Sequence, residues 1–510
     1  MMRYILLMLG LASVLLIPGI ASAQGICENG TTRSAKLICV IPEVYGAGGL
    51  SVGPGTGDIV YAQSHKSEFL GDFISSQGLG PINEAIGVQL AELPFASPSN
   101  SVSFTYDTSL KTFVPSNEET LGPIIGERAG TIGRRRVYVA FSFEYFNFNR
   151  VDGQDLSNLA TVLQHQPTAG DPNSSDPGNL PCPNTTGMYA KYTTPPPANP
   201  CFTRDFFQAI NSIDLSAQQY SIYLTYGLTS RLDLSAVIPI LHVNVSATNT
   251  TTIFTNSVAG PADGPDGVFH QFNPAGVPSC SASSVQPGGV PCLKATFSNS
   301  GKTTGIGDVV LRGKYELYKG EKAGFAAGVN VRLPSGDVDN FLGSGTTGVE
   351  PFGVISYSAR VSPHVEVGYE WNGKSILTGD YVGGNATNSK ASIPNRFVYT
   401  VGADVGIVKR VTGAFDIYGQ RLFSASQLFA TTYTDQGKCS DTNCTTVTPG
   451  TSHADLGVRA NTGVNITEAS LGLKFRLAGK LVISANVLLN LDNGGLRARA
   501  VPLVGASYSF

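Results

Sequence analysis

From residue 135 onward, apolar and polar side chains alternate in segments of about ten residues, the rhythm of a strand with one wet and one apolar face. In 363–373 (PHVEVGYEWNG), Val365, Val367, Tyr369 and Trp371 fall on one face and His364, Glu366 and Glu370 on the other. The segment 305–317 sets Val309, Leu311, Tyr315 and Leu317 against Asp308, Arg312, Lys314 and Glu316. The segment 467–477 sets Leu471, Leu473, Phe475 and Leu477 against Glu468, Lys474 and Arg476. The same template predicts twelve strands, near 135–149, 211–226, 231–245, 304–318, 323–334, 346–360, 363–373, 394–408, 411–423, 466–477, 480–491 and 498–510. Tight connections (227–230, 319–322, 361–362, 409–410, 478–479) alternate with long ones (150–210, 246–303, 335–345, 374–393, 424–465) and a short one at 492–497. That alternation is expected of a barrel with tight turns on the periplasmic side and long loops outside. The fold class is therefore all-β: an antiparallel transmembrane β-barrel over 135–510, with long extracellular loops at 150–210, 246–303 and 424–465.

Residues 24–134 lack this rhythm and form a separate N-terminal segment. Ile82, Ile86, Leu90 and Leu93 recur at helical spacing behind Pro81, predicting one helix over 81–93. Residues 101–114 read as a hairpin, and 120–134 leads with Arg128 and Arg134 into the first strand. The segment either plugs the lumen or sits under the periplasmic mouth. If the helix were a strand instead, the barrel would have fourteen strands.

Residues 1–23 read as an export signal, with Arg3, an apolar run from Ile5 to Ile20, and the small-x-small site Ala21-Ser22-Ala23. After it no apolar run approaches the ~18 residues of a membrane helix. The chain holds 59 Gly, 25 Phe and 20 Tyr with only 14% charged residues, a composition suited to strands facing lipid. A net charge of −3 offers no basic footprint and argues against a nucleic-acid partner. Eight cysteines fall in four local pairs, Cys27/Cys39, Cys182/Cys201, Cys280/Cys292 and Cys439/Cys444. Behind an export signal such spacing reads as disulfides; the absence of CxxC spacing and of nearby histidine argues against metal.

Two catalytic patterns match by accident of glycine content. Gly49-Leu50-Ser51-Val52-Gly53 resembles a nucleophile elbow without its strand and helix, and Gly343–Gly348 resembles a dinucleotide loop with a strand where the helix should follow. The histidines show no evident serine or carboxylate constellation, so neither an enzyme nor a cofactor is expected. The informative residues face inward: Glu144, Asp233, Asp308, Arg312, Lys314, Glu316, Arg332, Glu366, Glu370, Asp404, Asp416, Lys474, Arg476 and Arg499. A charge facing lipid costs ~2–4 kcal/mol at mid-depth, so these residues need a wet or mutually paired interior. Eight acids against six bases predict no strong ion selectivity. They either interlock to fill a narrow lumen or line a solute path.

The stretch Thr304-Gly305-Ile306-Gly307-Asp308-Val309-Val310-Leu311-Arg312-Gly313-Lys314-Tyr315 resembles a recurrent strand of the outer-membrane family named for the MetA pathway of phenol degradation. So do 332–337 (RLPSGD), 342–345 (LGSG), 368–371 (GYEW), and the 122–133 stretch that begins GPIIGER. The resemblance implies an outer-membrane channel or transporter for small solutes, aromatic or hydrophobic compounds among them. The terminal strand, with Tyr508 and Phe510 on the lipid face, resembles the signal read by the barrel-assembly machinery. Lipid, that machinery and a small-molecule solute are thus the expected partners. The alternative is a structural or adhesive barrel that displays its disulfide-clasped loops.

Overall fold

The computed structural model describes residues 36–45, 52–54, 79–94, 96, 104–107, 112–115, 120–164, 204–256, 270–272, 280, 290–380, 389–438, 440 and 446–510. The export signal and Cys27, Cys182, Cys201, Cys439 and Cys444 lie outside these residues.

Twelve strands form the wall: β1 (Val137–Val151), β2 (Phe206–Gly227), β3 (Leu232–Phe254), β4 (Val310–Lys319), β5 (Ala323–Arg332), β6 (Gly348–Tyr357), β7 (Val361–Asn372), β8 (Arg396–Val408), β9 (Val411–Thr434), β10 (Ser452–Ala478), β11 (Leu481–Asn490) and β12 (Ala500–Ser509). Each pairs antiparallel with the next. β12 returns to β1, from Leu503 opposite Glu144 to Ser509 opposite Tyr138, and the Phe510 N–H closes the seam on the Val137 carbonyl at 2.8 Å. The ring is therefore a closed twelve-stranded barrel with no open edge, which a span through hydrocarbon requires of a sheet. The fourteen-strand alternative falls away because residues 79–90 are a helix, α1 (Leu79–Leu90).

The outward face carries Leu311, Tyr315, Leu317, Val365, Val367, Trp371, Leu471, Leu473, Phe475, Tyr508 and Phe510, all at least a third exposed. The inward neighbours His364, Glu370, Lys314, Asp404 and Asp416 are buried. Burial here is inverted relative to a water-soluble barrel: apolar side chains face out and charges face in, so the solvent outside must be hydrocarbon. Aromatic side chains cluster at both ends of this band. Tyr508 and Phe510 meet edge-on at 4.8 Å near the tight turns, and Tyr369 and Trp371 do so at 5.1 Å near the long loops.

The wall differs from the expected strands in two places. The strand expected at 304–318 is broken at 307–309. Lys294–Ile306 pairs with the upper half of β3, and β4 pairs only with its first residues, so three residues face two. Pro239 stands opposite the break with no N–H to give, and the Gly307 N–H bonds its carbonyl at 2.8 Å. This bulge turns Asp308 into the barrel. Second, much of the expected loop 424–465 is strand. β9 and β10 run 24 and 27 residues, well past the ~9–11 that cross a bilayer, and rise as a tall hairpin. The register slips between Leu422 and Gln427, where Ser424 takes φ 58°, so the apolar dyad changes phase there. β2 and β3 likewise overrun the loops expected at 150–210 and 246–303.

Inside the loop end of the barrel sits an apolar core. α1 contributes Ile82 and Ile86, and residues 37–41 contribute Leu37 and Ile38. Phe341 joins them from the loop 333–347, and Leu377 from the described residues 373–380. The expected hairpin is present as Phe104–Asp107 paired with Thr112–Pro115. Cys280 and Cys292 are disulfide-bonded, with Cα atoms 5.6 Å apart. Cys39 is also in a disulfide.

Candidate functional site: the occupied lumen

Residues 120–132 cross the lumen in an extended path, and the inward side chains of the wall bond their backbone. The Leu121 N–H donates to Thr412 Oγ1 (2.8 Å), Ile125 and Gly126 to Asp416 Oδ2 (3.3 and 3.4 Å), Ala129 to Ser356 Oγ (3.0 Å) and Ile132 to Asp233 Oδ2 (2.9 Å). Lys314 Nζ donates to the carbonyls of Arg128 (2.9 Å) and Gly130 (2.8 Å). A backbone threaded through a membrane barrel must satisfy its polar groups on the wall, and the wall supplies them.

Two layers of charge surround this path. In the layer nearer the tight turns, Glu127 of the threaded segment bridges Lys314 (2.7 Å) and Arg312 (3.0 Å), and Arg312 also reaches Glu366 (3.2 Å) and stacks over Phe352. Arg128 pairs with Asp404 at 2.5 Å, and His364 Nε2 meets Asp416 Oδ1 at 2.6 Å. Gly126 is required at its position: an added Cβ would stand 2.3 Å from His364 Nε2.

In the layer nearer the long loops, Glu370 holds Arg332 (3.0 Å) and Arg396 (2.5 Å), and Arg332 also meets Asp308 (3.2 Å). Glu92, two residues beyond α1, faces both guanidinium groups at 3.7 and 3.6 Å and accepts from Asn372 Nδ2 at 3.2 Å. Burial holds the Glu92 carboxyl above its usual range, opposed by Arg396. Asp308 has a second task, accepting from the Gly336 N–H (3.0 Å) and from the Ser344 N–H (2.8 Å) and Oγ (2.5 Å). The glycine-rich stretches 332–337 and 342–345 are therefore a folded-in loop anchored on one aspartate. Between the layers a cavity of ≈ 60 Å³ survives. That is room for a few waters and well below the ~150 Å³ that holds a benzene.

The remaining expected residues are placed as follows. Glu144 is buried and bonded by neutral donors, Gln219 Nε2 at 2.5 Å and Ser142 Oγ at 3.1 Å. Glu316 lies 3.9 Å from Lys319 near the turns, Lys474 Nζ donates to the Leu121 carbonyl at 3.5 Å, and Arg476 is half-buried. Arg499 is a correction. It is exposed and precedes β12, and the inward arginine is Arg497, paired with Glu468 at 3.4 Å and with Asp492. The strand is interrupted at Arg499, a bend between Leu496–Ala498 and β12, so the dyad does not run through it. Glu92, Glu127, Glu350 and Arg396 were not singled out from sequence, and Arg128 was noted only as preceding the first strand; Glu350 and Arg396 lie on strand segments whose alternation already points them inward.

The histidines also need correcting, since three have carboxylate partners: His364 with Asp416, buried His270 with Asp205 at 2.7 Å, and His453 with Asp435 at 2.8 Å. Asp435 is buried at some cost to its charge, yet bonds from Thr451, His453 and the Gly437 N–H hold its pKa at about 2. The latter two pairs flank the top of the tall hairpins, where Phe206 packs on His453 at 4.7 Å.

A plugged, charge-lined barrel carrying a GxGD bulge is the setting in which kinship can be judged. Residues 212–421 match the model of the family described as "Putative MetA-pathway of phenol degradation". The family stretch takes in β2 to the start of β9, with the Asp308 anchor and both layers of wall charge, and leaves out the threaded segment and β11 and β12. No curated protein matches the chain. Among solved structures, the COG4313 outer membrane channel from Pseudomonas putida F1 aligns over 76% of this chain and 99% of its own, at 11% identity and TM-score 0.40. The NanC porin aligns over 59% and 98%, at 8% identity and TM-score 0.29. A Pseudomonas aeruginosa FadL homologue aligns over 74% and 89%, at 9% identity and TM-score 0.26. The fold of this chain rests on its own strand ladders.

Proposed function

We propose that this protein is a gated outer-membrane channel for a small solute, closed by its own N-terminal segment and opened when that segment leaves the lumen. The observation that carries the reading is the set of wall side chains committed to the backbone of 120–132, together with a residual cavity of only ≈ 60 Å³ beside the Glu92, Arg332 and Arg396 layer. A structural filler could be built from apolar side chains; backbone held by polar groups that water can replace is suited to reversible docking. In this reading the tight turns face the periplasm, Tyr508 and Phe510 serve the assembly machinery, and aromatic or hydrophobic compounds are candidate solutes. The protein acts as a conduit and performs no catalysis. In planar bilayers the intact protein is expected to conduct rarely, and variants that loosen residues 120–132 to conduct persistently. Silence of both, with no uptake defect in a deletion strain, removes the proposal.

A second reading, a scaffold for surface display, draws on the tall hairpins. The Val162 N–H donates to Asp455 Oδ1 at 2.9 Å and Gln208 Nε2 to the Ala454 carbonyl at 3.1 Å, bracing one hairpin against the other above the barrel. Shortening β9 and β10 beyond the bilayer would then abolish surface attachment while leaving permeability unchanged.

A further inference from the structure

Arg332 and Arg396 are built around more carboxylate than they hold tightly. Glu370 takes their short bonds, 2.5 to 3.1 Å, and Asp308 takes one more. Glu92 stands at 3.6 and 3.7 Å, well outside the ~2.7–2.9 Å of a charge-assisted bond. Arg396 spends Nε on Glu370 and Nη1 on Gln420 (2.8 Å), and its Nη2 makes no hydrogen bond among the described residues. Beside it lies the cavity, with Leu93, Leu241, Val310 and Leu342 on one side and the guanidinium groups on the other. An apolar wall beside a planar donor fork fits a ligand with a compact apolar body and one carboxylate.

We propose that Arg332 and Arg396 form a carboxylate subsite in the lumen, that Glu92 is its internal occupant, and that small monocarboxylates with an apolar body compete with Glu92 for it. The solute class rests on the channel reading, but the subsite does not, because binding is measurable without flux. The ≈ 60 Å³ cavity is too small for such a ligand beside Glu92, so the ligand enters only as residues 90–93, which line the cavity, give way, and taking the place of Glu92 also removes one contact holding that segment. Entry of the solute and release of the plug are then one exchange of carboxylates, in which the charge of the layer is conserved.

The test is calorimetric titration of the full mature chain in detergent with benzoate, benzyl alcohol and benzylamine. Benzoate is expected to bind, and Glu92→Gln to tighten it ~10-fold by removing the competitor. Arg396→Gln is expected to weaken it at least as much, and Arg396→Lys to restore part of it; if Arg396→Gln fails to fold, the Glu92→Gln comparison still decides. Equal binding of benzyl alcohol, preference for benzylamine, or benzoate affinity indifferent to Glu92→Gln each overturns the subsite. Flux into liposomes separates the two readings. Benzoate binding with no flux in any variant keeps the subsite and removes the channel, whereas flux of all three solutes through Glu92→Gln without benzoate binding keeps the channel and removes the subsite.

Discussion

Replacing Glu127 with glutamine strikes the threaded segment where it is most strongly held. The carboxylate bridges Arg312 at 3.0 Å and Lys314 at 2.7 Å, and all three groups are buried. Removing one partner of a buried ion pair costs ~3–5 kcal/mol because an uncompensated charge remains. The lower end applies here, since Arg312 keeps Glu366 at 3.2 Å and Lys314 keeps the carbonyls of Arg128 and Gly130. Those carbonyls belong to the segment itself, and its departure admits water to both cations, so the penalty falls on the docked state alone. About 3 kcal/mol shifts the ratio of docked to undocked segment by roughly 100-fold. The readout is amide exchange at Leu121, Ile125, Gly126, Ala129 and Ile132, whose N–H groups end on wall side chains. These amides are expected to lose protection together while those of β4 and β7 keep theirs, with a parallel rise in conductance. Gly126→Ala should give the same signature through the clash with His364. If protection in 120–132 is unchanged while the whole barrel unfolds more readily, the segment is an integral part of the fold and the gating argument fails.

Three further outcomes are expected. Leu473 lies about five residues above the turn at Gly479, or ~12 Å at ~2.5 Å of height per tilted residue, near the middle of a ~25 Å apolar band. Leu473→Arg should therefore cost ~2–4 kcal/mol in lipid-vesicle unfolding, whereas Thr248→Arg, high on β3, should cost almost nothing; equal costs would contradict the membrane placement. Glu84 on α1 has its pKa raised to about 7 by burial, against a hydrogen bond from Ser426. A carboxyl raised in the folded state favours folding below its ordinary value of 4.5, and that advantage is lost as pH climbs to about 7. Protection factors of the α1 amides, which remove the intrinsic base catalysis of exchange, should thus be higher at pH 5 than at pH 8, and Glu84→Gln should flatten that difference. Asp308→Asn keeps the shape but weakens the hold on Arg332, Gly336 and Ser344. Limited proteolysis within 333–347 should accelerate, and equal cleavage rates would show that the loop is held by Phe341 and Leu342 instead.

The sequence alone determined the wall. A dyad of apolar and polar residues can be read without knowing any neighbour, because each strand faces the same two solvents, hydrocarbon outside and the lumen inside. That is why twelve strands and thirteen inward charges were legible, and why legibility failed where a strand is bulged or interrupted: at 307–309, above Leu422, and at the bend of Arg499, which leaves Arg497 as the inward arginine. The occupants of the lumen were decided only by tertiary structure. Glu127 meets Arg312 at a sequence separation of 185 residues, and Glu92 meets Arg396 at 304, so no local pattern announces either pair. The hydrophobic rhythm states that a residue points inward; which charge it faces there depends on how the ring closes and where the N-terminal segment threads through it.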